Sequence, residues 1–389
     1  MNERELRKRL LTDPVPEELE ARERVWPTVR AAWETRERVS WVERRARPIL
    51  ALAAAAVLVG AAVSPPGRGV AGWLREQVAA EEEGRELLRL PASGRLLVES
   101  GRGPWVVRAD GSRRLLGAFD EATWSPRGLF VAVTDGRELH AVEPDGKVVR
   151  WTLPRPERIS NPRWAPSGFR VAYRSGKTLR VVVGDGTGDR LVARNVGPAP
   201  PAWQPGPEHV LAYADEDGGI SIVNVDSGEG LRRFHVGQAV RELLWSANGR
   251  RLAALVDEER IALFQPDGRL VRTIEARRGR AILAMAFAPS GRDLAVSDYS
   301  PASGGSILVI RPRTGATRML LQVPGPLDQL AWAPNGRWIL ATWPAADQWL
   351  FVRTERPSRV LAVSRVTQEF DPGSTGQDAF PRIAGWCCP

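Results

Sequence analysis

The chain of 389 residues carries a formal net charge of +9 at neutral pH, and its hydrophobic and charged fractions, 43% and 26%, are ordinary for a folded protein. The positive charge is almost wholly arginine, since the lysines are Lys8, Lys147 and Lys177 alone. The arginines are scattered along the whole chain and do not cluster in one segment. A nucleic-acid-binding protein concentrates them in one stripe, so this distribution argues against nucleic acid as the partner.

Residues 1–47 are highly charged and helical in pattern, and we predict a cytoplasmic helical segment. Pro14 ends a first short helix. Further on, Trp26, Val29 and Trp33 recur at i, i+3 and i+7, which places them on one helical face. Two interpretations stay open: a solvated, partly ordered segment, or a helix whose tryptophan face docks into a groove of a cytoplasmic partner protein.

Residues 48–64 form an almost uninterrupted apolar run, preceded by Arg44, Arg45 and Arg47. The run is short against the roughly 20 residues that span a bilayer. The basic flank predicts a cytoplasmic N-terminus and an extracytoplasmic remainder. A cleavable signal peptide is the alternative, but 47 residues precede the run, far more than a signal peptide carries. We therefore predict an uncleaved, single-pass anchor in a bacterial cell membrane.

Residues 65–91 carry Trp73, Leu74 and Val78 in a helical pattern that Glu81-Glu82-Glu83 interrupts. We predict a juxtamembrane helical linker that holds the following domain away from the membrane.

A short motif, here called the tag, recurs every 40 to 45 residues or so, which is the period of a four-stranded propeller blade. Each tag begins with an aromatic residue and most continue with Pro and Gly. The tags begin at Trp124, Trp164, Trp203, Trp245, Phe287 and Trp332. We predict that the aromatic residue ends an inner strand and packs between blades, while Gly turns the chain into the second strand.

A second turn signal follows each tag, between two further apolar runs. Asp-Gly pairs such as Asp145-Gly146 and Asp267-Gly268 are typical of hairpins because both residues tolerate positive φ. Seven turns occur at this place in the repeat, four of them Asp-Gly, against six tags. Residues 93–98 read like the end of a tag followed by its second strand, and Gly385-Trp386-Cys387-Cys388-Pro389 reads like the beginning of one.

These patterns predict an all-β domain over residues 92–389: a seven-bladed propeller with a composite closing blade. Its innermost strand would run from about Arg382 to Cys388 and its other three from about Gly94 to Leu116, with Trp386 as the seventh tag residue. Val366 to Phe380 would be a long loop. We interpret the adjacent Cys387 and Cys388 as small residues at a strand end, because a disulfide between neighbours is strained and zinc needs separated ligands.

The tags and Asp-Gly turns together resemble the WD-like repeats of TolB-type propellers, over about residues 92–389. TolB-type proteins carry an α/β domain ahead of the propeller, and this chain shows none, so their partners are not implied. The order of basic helical segment, single span and outer domain is similar to the layout of membrane anti-sigma factors. Residues 1–47 show no His/Cys zinc pattern, so that similarity is one of layout only.

No motif predicts catalysis, a metal site or a cofactor. Gly-x-Ser-x-Gly is missing, and His140, His209 and His235 lie in different repeats with no carboxylate at a matching spacing. The acidic turn Asp215–Gly219 is too short for an EF-hand. We therefore predict a protein that is not an enzyme.

A binding face can be placed by elimination. The tag turns and Asp-Gly turns share one face of a propeller, here called the scaffold face, and the loops on the opposite, variable face differ in every repeat, as functional loops do. Charges on the variable face separate by sign, which suggests a rim that orients a polar or zwitterionic partner. The candidate binding residues are Arg102, Arg137, Arg174, Lys177, Asp215, Glu216, Asp217, Asp257, Glu258, Asp298, Tyr299 and Trp343.

Three functions remain open. The first is a non-enzymatic, membrane-anchored extracytoplasmic propeller that binds a protein or cell-envelope ligand. The second is a transmembrane signal transducer, anti-sigma-like, with an outer sensor propeller and a cytoplasmic partner on residues 1–47. The third is an enzyme that uses carboxylates at the channel mouth, such as a lyase or glycosidase.

Overall fold

In a computed structural model, which describes residues 89–373 and 380–388, the chain forms seven four-stranded antiparallel sheets. Each sheet is one blade of a propeller, and we label its strands A to D from the central channel outward. The protein is thus a seven-bladed, all-β propeller, as the repeats predict.

The blades follow one another along the chain, except that blade 1 takes its strand A from the far end. Blade 1 contains β28 (Arg382–Cys387), β1 (Arg95–Ser100), β2 (Gly103–Val107) and β3 (Arg113–Leu115). Blade 2 contains β4 (Ala122–Trp124), β5 (Val131–Asp135), β6 (Glu138–Val142) and β7 (Val149–Pro154). Blade 3 contains β8 (Ile159–Trp164), β9 (Arg170–Ser175), β10 (Thr178–Val183) and β11 (Arg190–Arg194). Blade 4 contains β12 (Ala202–Trp203), β13 (Val210–Ala214), β14 (Gly219–Asn224) and β15 (Gly230–His235).

The remaining blades repeat the same A-to-D order. Blade 5 contains β16 (Val240–Trp245), β17 (Leu252–Val256), β18 (Arg260–Phe264) and β19 (Leu270–Glu275). Blade 6 contains β20 (Ala281–Phe287), β21 (Leu294–Ser300), β22 (Gly304–Ile310) and β23 (Thr317–Val323). Blade 7 contains β24 (Leu330–Trp332), β25 (Trp338–Trp343), β26 (Gln348–Arg353) and β27 (Val360–Ser364), with a 3-10 turn at Pro344–Ala346.

The composite closing blade is confirmed. Strand β28 pairs antiparallel with β1, from Arg95 opposite Cys387 to Glu99 opposite Arg382. The structure also joins the sulfur atoms of Cys387 and Cys388, which the strand-end interpretation did not include. Closure gives β1 a partner strand on both sides, as the second strand has in every other blade.

The hydrophobic core is divided into seven clusters, and each one fills the interface between two neighbouring blades. The tag aromatics belong to these clusters. Trp124, Trp164, Trp245 and Trp332 are at least 90% buried, and Trp386 is half-buried beside Phe351, 5.7 Å between ring centroids. Core packing therefore runs around the ring from blade to blade, with the tags at the inner ends of the interfaces.

The tag turns close as their residues predict. In blade 2 the backbone N–H of Gly128 donates to the carbonyl of Ser125, and the Ser125 hydroxyl accepts the N–H of Phe130. Gly128 has a φ of 63°, a conformation that strains residues with a Cβ atom.

The segment between β27 and β28 differs from the predicted loop. A short helix, α1 (Val366–Phe370), buries Val366 and Phe370 in the interface between blades 7 and 1. Phe370 lies 5.2 Å from the ring of Trp349 and 5.8 Å from that of Trp105. Apolar side chains at both ends of this helix thus turn part of the predicted loop into core.

The predicted cytoplasmic segment, apolar span and linker, apart from residues 89–91 of the linker, lie outside the described residues. Within residues 89–373 and 380–388, no helix is both long enough and apolar enough to cross a bilayer.

Candidate functional site

Two exposed ion pairs contain three of the predicted rim residues, one pair across blades and one within blade 5. On the variable face, Lys177 Nζ of blade 3 lies 2.8 Å from Glu216 Oε1 of blade 4. Glu258 pairs with Arg241, an exposed residue that precedes the tag of blade 5. In these two pairs opposite charges lie together, and exposed pairs of this kind add about 0–1 kcal/mol to stability.

Other rim candidates are exposed or make contacts within their own hairpin, as Arg102 does over the ring of Trp105 at 5.9 Å. Arg102, Arg137, Asp217 and Asp257 are exposed, and Arg174 is half-buried with its Nε donating to the carbonyl of Gly176, 2.7 Å. Asp215 closes its own turn, because its carboxylate accepts the backbone N–H groups of Asp217 and Gly219 at 3.0 and 2.6 Å.

Asp298 lies inside the protein rather than on the rim. Its side chain is 3% exposed and accepts hydrogen bonds from Arg277 Nε and Nη2, at 2.7 and 2.8 Å, and from Ser306. Arg280 Nη2 lies 3.0 Å away, and its own side chain is 7% exposed. Burial opposes the charge, but the bonds from Arg277, Ser306 and Arg280 outweigh burial and hold the pKa of Asp298 below its usual value.

The predicted aromatic residues are also largely internal. Trp343 is 2% exposed, in the core between blades 6 and 7. Tyr299 is half-buried at the end of β21. The aromatic contribution to the variable face is therefore smaller than the sequence suggests.

A cavity of 570 Å³ lies where the central channel opens onto the variable face. Its walls come from the A strands and adjoining loops of blades 3 to 7 and from β28 of blade 1. The charged residues on its wall are Arg163, Arg241, Glu242, Glu258, Asp328 and Arg382. The mouth therefore carries charges of both signs, and Glu258 is the one charged wall residue that also belongs to the predicted set.

Polar side chains three positions before the tag aromatic join one A strand to the next. Glu121 Oε2 accepts the backbone N–H of Asn161 at 2.6 Å, and Gln329 Oε1 accepts that of Ile383 at 2.7 Å. Glu242 accepts the N–H of Met285 in the same way. The only sequence signal for this position is its fixed distance before each tag aromatic, since the residue type there varies from Glu to Ala between blades.

The charge cluster in the channel is strongly desolvated. Burial raises the pKa of Glu242 to about 7, against the weaker opposing effects of Arg163 and the Met285 N–H. Burial also raises the pKa of Glu99, whose Oε1 accepts the N–H of Ala122 at 2.7 Å, and it lowers the pKa of Arg163. Glu242 is partly exposed to the channel lumen, so water screens part of the charge of its carboxylate.

We expect Glu242→Gln to remove part of the pH dependence of stability. The folded pKa of about 7 stands above the ordinary 4.5, so the folded state binds a proton that the unfolded state releases. The contribution of the Glu242 carboxyl to the free energy of unfolding is therefore fully present below about pH 4.5 and is lost as pH rises through about 7. In thermal melts, the stability of the variant relative to the wild type should rise between pH 5 and pH 8. After allowance for screening by water, we expect a rise on the order of 1 kcal/mol.

The exposed Glu229→Gln change is the matched control for that measurement. It should follow the wild type at every pH. A Glu242→Gln profile parallel to the wild type would mean that the Glu242 carboxyl titrates as it does in water.

Two histidines have carboxylate partners, which corrects the prediction that no carboxylate matches them. Ser167 Oγ lies 2.8 Å from His209 Nε2, and His209 Nδ1 contacts Asp226. The order Ser–His–Asp is that of the catalytic triad of serine hydrolases. However, Asp226 also accepts bonds from Arg170 and Arg190 at 3.2 and 3.1 Å. We interpret the group as an ion-paired link between the turns of blades 3 and 4 on the scaffold face.

His140 has two carboxylates beside it. Its Nε2 lies 3.5 Å from Glu138 Oε2, and Asp135 completes a group whose ligand atoms all lie within 4.8 Å of one another. Burial lowers the pKa of His140, against the opposing effect of Glu138 and Asp135. The sequence signal was the spacing Asp-x-x-Glu-x-His across one hairpin, which matters only when the strand register is known.

Comparison with known proteins supports the fold. No protein-family model matches the sequence. A chain of the Kuenenia stuttgartiensis hydrazine synthase is 14% identical, with a TM-score of 0.52 over 66% of this chain and 80% of that one. A chain of the mitotic checkpoint complex is 16% identical, with a TM-score of 0.55 over 79% and 89%. The variant of KlHsv2 with loop 6CD replaced by a Gly-Ser linker is 14% identical, with a TM-score of 0.54 over 69% and 93%.

They share the propeller fold. Identities this low carry no information about ligand or activity, because one fold hosts many functions.

Proposed function

We propose that this protein is a membrane-anchored, extracytoplasmic propeller of TolB-like type that binds a protein or cell-envelope ligand at its channel mouth and catalyses no reaction. The observation that carries the proposal is the two-signed cavity of 570 Å³ on the variable face. Cavities of a few hundred Å³ with convergent polar groups are the usual ligand sites of rigid folds.

The charges on the cavity wall define what would fit. Arg163 and the exposed Arg382 supply positive charge, and Asp328 and the partly ionised Glu242 supply negative charge. A ligand that carries both signs, such as a zwitterionic peptide segment or an amino-substituted envelope polymer, would pair with both. A ligand of one sign would leave half of the wall desolvated without a partner.

The anchor rests on sequence. The apolar run of residues 48–64 with its basic N-terminal flank supports a single span with the propeller outside. In that orientation the propeller meets envelope components and secreted proteins, which is why we place the ligand there.

A second candidate is an acid–base enzyme at the same mouth. The Glu242 carboxyl favours it, because a carboxyl with a pKa of about 7 inside a cavity can act as a general acid near neutral pH. Against it, this carboxylate already accepts the Met285 N–H, which gives it a structural role.

Two single-cysteine variants, Asp257→Cys and Asp267→Cys, test the binding proposal. Both aspartates are exposed acidic residues of blade 5, but Asp257 lies on the variable face and Asp267 on the scaffold face. Each variant, made with Cys387 and Cys388 replaced by serine, is labelled in intact cells with a membrane-impermeant maleimide that carries a photocrosslinker. We expect both to be labelled, and Asp257→Cys alone to give a discrete crosslinked species.

Adding Arg382→Glu to the Asp257→Cys variant should reduce that species at least tenfold if the mouth binds the ligand. Labelling that appears only after lysis would overturn the extracytoplasmic location. Equal crosslinking from both positions, or a species that Arg382→Glu leaves unchanged, would overturn the channel mouth as the binding site.

A further inference from the structure

We propose that Asp135, Glu138 and His140 of blade 2 form a binding site for a divalent transition-metal ion of the Zn²⁺ class. The three residues lie on the β5–β6 hairpin at the variable face. The proposal is independent of the function proposed above.

The strand register places all three side chains on one face of the blade. Asp135 pairs with Glu138 and Val133 pairs with His140 across β5 and β6. Glu138 and His140 are two apart on one strand, so they point to the same side, and Asp135 lies directly opposite Glu138. The group therefore converges by sheet geometry and does not depend on a flexible loop.

His140 presents an unused ligand atom to the two carboxylates. The residue is 8% exposed, and its Nε2 is buried without a hydrogen bond. Its Nδ1 lies 2.9 Å from the hydroxyl of Thr152, on β7. When Nδ1–H donates to this hydroxyl, the Nε2 lone pair faces the carboxylates, which is the arrangement that outer hydrogen bonds impose on metal-binding histidines.

The distances match a small metal ion. His140 Nε2 lies 3.5 Å from Glu138 Oε2, and two ligands of a tetrahedral Zn²⁺ ion with bonds near 2.1 Å are roughly 3.4 Å apart. Imidazole nitrogen with carboxylate oxygens is a ligand set that Zn²⁺ and its neighbours accept. Three protein ligands would leave a fourth position for water or an exogenous group.

A cation would also relieve the local electrostatics. Asp135 and Glu138 are like charges directly opposite each other in a sheet, which is destabilising. Within the described part of the chain, no Lys or Arg forms an ion pair with either carboxylate. A divalent ion bound between them would neutralise both charges and give the buried Nε2 a partner.

Zinc titration of the untagged full chain tests the site. We expect calorimetry with Zn²⁺ alone to give one equivalent at this site, a higher melting temperature, and, with Co²⁺ in its place, the visible absorption of a tetrahedral ion. Glu138→Gln should weaken binding at least tenfold, and its side chain is 46% exposed, so the fold should tolerate the change. Thr152→Ala, which touches no metal, should weaken binding about tenfold through loss of the Nδ1 hydrogen bond.

Two controls separate this site from others. His235→Gln removes an exposed histidine in blade 4 and should leave binding unchanged. Replacing Cys387 and Cys388 by serine excludes zinc held by thiolates and should also leave it unchanged. A wild type that neither binds Zn²⁺ nor shifts its melting temperature would overturn the proposal, and so would Glu138→Gln binding as tightly as His235→Gln.

Discussion

Deletion of residues 381–389 should abolish cooperative unfolding of the propeller. The deletion removes β28, which pairs with β1 over five registered positions and is the A strand of blade 1. Without it the inner edge of β1 is unpaired, and a free hydrophobic edge promotes association between chains. We expect the truncated chain to aggregate or to show no sigmoidal melt.

The size of the effect follows from two core interfaces that this one strand serves. Ile383 and Trp386 pack into the cluster between blades 7 and 1, and Ala384 and Cys387 into the cluster between blades 1 and 2. The deletion damages both interfaces of the closing blade at once. Its cost should approach the whole stability of an ordinary domain, about 5–15 kcal/mol.

A graded series separates strand loss from side-chain loss. Trp386→Ala keeps the strand and should cost about 2–3 kcal/mol, less than a fully buried tryptophan because this one is half-buried. Leu129→Ala, at a side chain 61% exposed, should change stability by less than about 0.5 kcal/mol. A truncated chain that stays soluble and melts with the full chain would mean that the ring does not depend on this closure.

The blade count and the closure could be predicted because their signals are local. An aromatic residue before a Pro-Gly turn and an Asp-Gly hairpin each fix a short backbone geometry, and their repetition gives the register of the ring. Even the incomplete tag at Trp386 could be recognised, because the end of a tag, without its beginning, occurs at Gly94. The helix at Val366–Phe370 was missed, since five residues carry little periodicity.

The site was harder to predict because side-chain exposure depends on strand length and on loops distant in sequence. Asp298 was expected in an exposed loop, but β21 runs to Ser300 and keeps it within the sheet. Arg277 and Arg280, from the preceding loop, then cover it. Trp343 was misplaced in the same way, because β25 extends to it. Conversely, four of the six charged wall residues of the channel mouth lie on A strands, where an alternating pattern is too short to show which side faces the lumen.

Because Asp298 is buried, a mutation there tests stability and not ligand binding. A substitution there would disturb folding and would say nothing about ligand binding, whereas Asp217 and Asp257 are exposed and remain informative. Asp298 instead holds the β19–β20 loop against blade 6 through its two arginines.

Asp298→Ala should therefore cost about 3–5 kcal/mol, the usual effect of removing one partner from a buried ion pair. The change leaves Arg280, with a side chain 7% exposed, without its carboxylate, and an unpaired charge in the interior is far more expensive than the loss of the bond alone.

Asp293→Ala is the matched control, five positions earlier, because its partner Arg311 is 61% exposed and such a pair contributes about 0–1 kcal/mol. Denaturant melts of the two variants should differ in midpoint with similar slopes. Equal midpoints would mean that Arg277 and Arg280 reach solvent and that the cluster carries no net stability.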